Sequence, residues 1–169
     1  TRPSGLPAAA ITAPSRPPTF AGVTGDRDLF LLLQELPQLE LPARCHLAQR
    51  LAHRADLAKP VAMALALDKI AVAHPILRDS PILEEAELIR IIEDASSEHH
   101  LVIAERSRLS PSVTAFLVEM SETDVMVQLL RNPGAMFTEY VFRRLVAASR
   151  HAAALRDPVL GRRELTLEM

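Results

Sequence analysis

The chain has no tryptophan, one tyrosine and five phenylalanines among its 169 residues, so aromatic rings cannot fill its interior. Its single cysteine, Cys45, excludes an internal disulfide and suits a reducing, cytoplasmic compartment. Glycine is scarce, at five residues, and none builds a phosphate-cradling loop: Gly22 and Gly25 precede the first helical pattern, and Gly134 and Gly161 stand alone. No apolar run approaches the roughly 18 to 20 residues that cross a bilayer. The most apolar stretch, Val61 to Ala73, is broken by Asp68 and Lys69. Strand-like alternation with period two is missing, which excludes a sheet of any size. A formal net charge of −2 provides no overall field that would drive the chain onto nucleic acid or an acidic membrane. The N-terminus lacks the basic-then-apolar order of a signal peptide, and it starts at Thr1, as a fragment or processed chain would.

What remains is aliphatic. Hydrophobic residues make up 49% of the chain, nearly all of them Leu, Ile, Val, Ala and Met, a palette that favours helices. Residues 1–25 carry Pro3, Pro7, Pro14, Pro17 and Pro18 and are expected to form an extended arm or linker. From residue 26 to 169 the spacing predicts one helical-repeat domain. Asp26 can cap a helix carrying Leu29, Phe30, Leu32, Leu33 and Leu36, which Pro37 ends. Pro42 fits the first turn of the next helix, and Pro60 opens a third, from Val61 to about His74, apolar almost all round. Further helices are predicted over Glu85–Ala95, over Glu98–Arg106, after Ser110-Pro111, after a capping box formed by Ser121 and Asp124, and after Thr138.

These elements recur. Ile91-Ile92-Glu93-Asp94, Leu117-Val118-Glu119-Met120 and Leu145-Val146-Ala147-Ala148 stand 26 and then 28 residues apart. Each is followed by a polar turn and a second short helix. Two of these units end in an Arg-containing stop, Arg106-Ser107-Arg108-Leu109-Ser110 and Arg131-Asn132-Pro133-Gly134. Two short helices cannot bury their apolar faces alone, whereas stacked pairs share a continuous core. The predicted fold is therefore all-α, an α-solenoid of short helical hairpins resembling HEAT repeats.

The run from Leu51 to Leu165 resembles a bacterial family of uncharacterised helical-repeat domains, itself similar to HEAT and leucine-rich-repeat-variant arrays. The resemblance rests on Pro75-Ile76-Leu77-Arg78-Asp79-Ser80-Pro81-Ile82-Leu83, Glu87-Leu88, Ile103-Ala104-Glu105-Arg106, Leu109-Ser110 and Arg131-Asn132-Pro133-Gly134-Ala135. It implies a helical fold and brings no cofactor, catalytic residue or established activity. It also implies further helices beyond the position of Arg163-Glu164-Leu165, where this chain stops at Met169.

Candidate chemistry is thin. His99 and His100 beside Glu98 are the nearest approach to a metal cluster, but adjacent helical residues point about a hundred degrees apart, and a solvated turn is the expected setting. Cys45 and His46 start a helix that also carries Arg50, His53 and Arg54, read as a polar outer face around a half-buried thiol. The C-terminal third is locally basic, and Glu84 to Glu98 is acidic. The residues expected to meet a partner are Arg106, Arg108, Arg131, Asn132, Arg143 and Arg144. The reading is a non-enzymatic scaffold or regulatory adaptor, without metal or cofactor, that binds another protein. A nucleic-acid-binding HEAT-like module using the arginines is the alternative, disfavoured by the lack of stacking aromatics. Leu155, Val159, Leu160, Leu165, Leu167 and Met169 predict an apolar C-terminal end needing cover, by a second copy of the chain among other means. Gly134 is expected to hold a left-handed backbone.

Overall fold

A computed structural model describes residues 26–162, with side chains from residue 31. The expected arm at 1–25 and the apolar residues Leu165, Leu167 and Met169 lie outside the described residues. Ten α-helices follow in order: α1 (Asp26–Glu35), α2 (Leu41–Leu51), α3 (Lys59–Ala66), α4 (Ile70–Asp79), α5 (Glu85–Asp94), α6 (Ser97–Ala104), α7 (Pro111–Met120), α8 (Thr123–Arg131), α9 (Glu139–Ser149) and α10 (Arg156–Leu160). Short 3-10 turns at Leu36–Gln38 and Ala153–Leu155 complete the helical content. Among the described residues, β-type pairing amounts to one parallel bridge between Leu109 and Ala135. The chain is all-α, as its composition requires.

Proline and small polar residues set the boundaries. Pro42, Pro60 and Pro111 each occupy the first turn of a helix, where no amide donor is needed. Ser110 and Thr138 cap α7 and α9 as expected, accepting from the amides of Val113 at 3.3 Å and Val141 at 3.2 Å. Two expectations fail. The apolar stretch from Val61 to His74 is two helices, because Asp68 turns its Oδ1 onto the amide of Lys69 at 2.7 Å, and a short acidic side chain that bonds its own backbone interrupts a helix. The capping box at Ser121 does not form: Glu122 is the N-cap of α8, and the Ser121 hydroxyl is used elsewhere.

The helices pack in two series. α1 contacts α3, α3 contacts α5, α5 contacts α7 and α7 contacts α9; α2 contacts α4, α4 contacts α6, α6 contacts α8, and α8 contacts α10 and the turn before it. One apolar core runs between the series. Ile91, Leu117 and Leu145, the first residues of the three recurring segments, are fully buried on α5, α7 and α9. The same offset thus brings the same face of alternate helices inward. The C-terminal end is better covered than the sequence suggests: Leu155 and Val159 are buried as α10 folds back on α8 and α9, leaving Leu160 exposed.

Candidate interaction surface

The residues expected to meet a partner divide sharply. Arg106, just past α6, is turned inward. Its guanidinium donates to the carbonyls of Leu77 at 2.5 Å, Ser80 at 2.9 Å and Leu83 at 3.5 Å, around the C-terminal end of α4. The last carbonyls of a helix have no partners within it, so this cation satisfies groups that would otherwise be stranded at a covered end. Burial lowers the Arg106 pKa, and the nearby Asp79 carboxylate opposes that shift.

Asn132, just past α8, is also buried, and it does for α6 what Arg106 does for α4. Its Nδ2 donates to the carbonyls of Ala104 and Arg106, both at 2.7 Å, and its Oδ1 accepts the amide of Gly134 at 2.8 Å. Arg162, past α10, continues the series with donations to the carbonyls of Asn132 and Ala135, both at 2.8 Å, and lies over the Phe137 ring at 4.7 Å. The Arg-containing stops seen in the sequence are therefore latches between successive hairpins. Arg106 and Asn132 are not part of an open binding ridge; their donors are consumed inside the fold.

The two histidines require a similar correction. His99 and His100 are buried, and each joins elements of different hairpins. His99 Nε2 donates to the carbonyl of Asp68 at 2.9 Å, and its Nδ1 lies 2.8 Å from Ser96 Oγ. His100 Nε2 donates to the carbonyl of Ile92 at 2.9 Å, with Nδ1 2.9 Å from Ser121 Oγ. Burial lowers the His100 pKa, which favours the neutral ring with its proton on Nε2 and Nδ1 free to accept from Ser121. A solvated turn was the expectation because no sequence signal distinguishes a histidine at a junction from one in water.

Four arginines of the predicted set do reach the surface. Arg143 pairs with Glu139 on its own helix, and Arg144 of α9 pairs with Glu119 of α7 at 3.0 Å. Arg108 and Arg131 are exposed. Elsewhere on the surface, His46, Gln49, Arg50 and His53 line the outer side of α2, and Cys45 is half-buried against the core. Between α2 and α4 lies a shallow, open depression of ≈ 350 Å³ lined by Gln49, Ile70, Ala71, His74 and Pro75. Sequence reasoning placed the polar face of α2 correctly and missed the depression, which exists only where two helices meet.

Residues 72–169 match the family described as an uncharacterised protein conserved in bacteria (DUF2336). The chain belongs to this family. The match starts inside α4 and takes in every latch described above. The residues that carry the resemblance, Leu77, Ser80, Leu83, Arg106, Leu109, Asn132, Gly134 and Ala135 among them, are the parts of those latches. No curated protein and no solved structure matches the chain at a significant level. Among the described residues, no helix is long and apolar enough to cross a membrane.

Proposed function

We propose that this chain is a non-enzymatic scaffold or regulatory adaptor, an α-solenoid of short HEAT-like hairpins that binds another protein through its extended outer surface. The observation that carries this reading is how the polar side chains are used. Arg106, Asn132, Arg162, His99 and His100 all hold one hairpin to another, and helices two apart in sequence pack in series. An array of that kind is rigid and offers long outer faces, which suits recognition of a partner. This step is made by analogy of architecture. The nucleic-acid alternative loses support, since Arg106 and Asn132 face inward and Arg143 and Arg144 are paired with carboxylates.

Photo-crosslinking residues placed at Ala71 on the α2–α4 side and at Arg143 on α9, one at a time in the native bacterium, test the reading. A discrete protein adduct at either position is the expected result. The absence of any adduct at both, together with retention on heparin that falls steeply with salt, would favour the nucleic-acid module instead.

A further inference from the structure

The outer sides of α2 and α4 meet at the depression, and their composition is one-sided. On α2, His46, Gln49 and Arg50 follow the i, i+3, i+4 spacing that puts them on one face, with His53 in the turn just past the helix, and all four are exposed. On α4, Ala71, His74, Pro75 and Arg78 do the same, with Ala71 and Arg78 exposed and His74 and Pro75 half-buried. Gln49 shares the floor of the depression with Ile70, Ala71, His74 and Pro75, so the two faces form one surface. Its charged residues are basic; the nearby Asp68 and Asp56 are engaged by Arg44 at 3.4 Å and Arg54 at 2.8 Å, while Asp79 holds Arg78 at 3.7 Å and leaves Arg50 as the cation the face presents. Among the described residues, no carboxylate pairs with Arg50. Pro75 adds a second feature, since it has no amide to donate to the Ala71 carbonyl one turn earlier, at the edge of the depression.

We infer that the α2–α4 face docks an acidic segment of a partner protein, with a leucine-sized side chain over the Ile70, Ala71 and Pro75 floor and a carboxylate toward Arg50. This rests on the scaffold reading and names the class of partner. Apolar floor and basic rim are complementary to an acidic peptide with an apolar anchor. A bound strand or helix end can also give an N–H to the Ala71 carbonyl. Nucleic acid fits less well because the face carries no Phe, Tyr or Trp and too few arginines to track a phosphate backbone. The chain's own residues 1–25 fit poorly, since they contain Arg2 and Arg16 and no acidic residue.

The test uses the full chain and a fluorescent synthetic peptide of Glu and Asp with two central leucines, read by anisotropy. Controls are the same peptide with the leucines replaced by serine, and a duplex DNA of similar charge. Saturable binding of the leucine peptide is expected, weakened about tenfold or more by Arg50→Glu and by Ala71→Glu and unchanged by Arg143→Glu. Residues 50 and 71 are exposed, so these variants should keep the wild-type melting temperature, which is measured alongside. Equal binding of the serine peptide, tighter binding of DNA, or no loss in the Ala71→Glu variant would overturn the inference. Peptide binding only to a chain lacking residues 1–25, or self-association abolished by Arg50→Glu, would do so too, by assigning the face to the arm or to a second copy. In the crosslinking experiment, an adduct at Arg143 with none at Ala71 sinks this inference and leaves the scaffold reading standing. Adducts at neither position sink both.

Discussion

The two ends of the molecule are held together differently. From α4 onward, each hairpin reaches back to its predecessor through a side chain that bonds backbone carbonyls: Arg106 onto α4, Asn132 onto α6, Arg162 onto α8. Between α2 and α4 that device is missing. The offset of 27 residues that relates the N-caps Lys69 and Ser96 also relates Asp79 to Arg106, and a carboxylate cannot donate to a carbonyl. The first two hairpins are instead joined by apolar packing and one largely buried ion pair, Arg44 with Asp68. The difference separates two kinds of adhesion. Apolar contact tolerates small shifts and a single ion pair fixes little geometry, whereas a guanidinium forked over three carbonyls fixes one hairpin against the next in a single register. The family match begins at the same place, inside α4, where the latches begin.

The sharpest way to break the latched part is Gly134→Val. The φ of Gly134 lies outside the left-handed region, so the expected reason for glycine is wrong. The actual reason is close approach: a Cβ would fall on the Ser107 carbonyl, 2.7 Å from its carbon. The neighbouring bridge holds that backbone in place, with Leu109 donating to Gly134 and Met136 donating to Leu109. Neither side can retreat without breaking the junction, and a loss of about 3 kcal/mol or more in urea unfolding is expected. A melting curve unchanged from wild type would show that the two loops can part. Arg106→Ala comes next, at about 2 to 4 kcal/mol, because it leaves carbonyls of α4 without donors at a covered end. Asp79→Ala, which removes a carboxylate near Arg106 but leaves the α4 carbonyls their donor, should cost less than about 1 kcal/mol. Equal losses for the two would show that charge near Arg106, and not its bonds to carbonyls, sets the cost.

Much of this fold was legible in the sequence because helices advertise themselves locally. The 26- and 28-residue offsets found the buried positions of α5, α7 and α9, and Ser110, Thr138, Pro42 and Pro60 marked helix starts by chemistry that works within four residues. The latches were visible as recurring stops, but their direction was not. An arginine or asparagine after a helix has the same local signature whether it faces solvent or the previous hairpin. The partners of Arg106, Asn132, His99 and His100 lie between 8 and 31 residues away in sequence, apart from Ser96 beside His99 and Gly134 beside Asn132. That is why the sequence suggests a binding surface for Arg106 and Asn132 and a solvated turn for the two histidines. The Asp68 break failed for a related reason: an apolar composition reads as continuous helix until one side chain turns back on its own chain.

His100 gives the junctions a pH dependence. Its folded pKa is lowered by burial, so the unfolded chain binds the proton more readily than the native one. The stability it contributes is complete above its ordinary value of about 6.5 and is lost as pH falls through that value toward the folded one. Urea midpoints measured at about pH 7.5 and pH 5.5 should therefore fall toward acid in wild type. In His100→Gln, which can still donate to the Ile92 carbonyl, the fall should be smaller. An identical fall in the variant would remove His100 from the account and leave the α6–α8 junction indifferent to protons.

The smallest effect is expected at Arg144 and Glu119, which join α7 to α9 by a side-chain pair at 3.0 Å with both groups about half exposed. Here the latched half contains a link between two side chains, with no carbonyl in it, so it isolates the chemistry of the link from its place in the chain. An exposed pair gains little, since water screens it and two long side chains lose freedom to form it. The coupling from a double-mutant cycle with Arg144→Ala and Glu119→Ala should be about 0.5 kcal/mol or less. A cycle pairing Arg106→Ala with a carbonyl cannot be made by substitution, so the comparison is with the single-variant loss at Arg106. If Arg144→Ala alone destabilises the chain as much as Arg106→Ala does, position along the chain and not the carbonyl latch sets the cost, and the contrast between the two halves must be explained by packing.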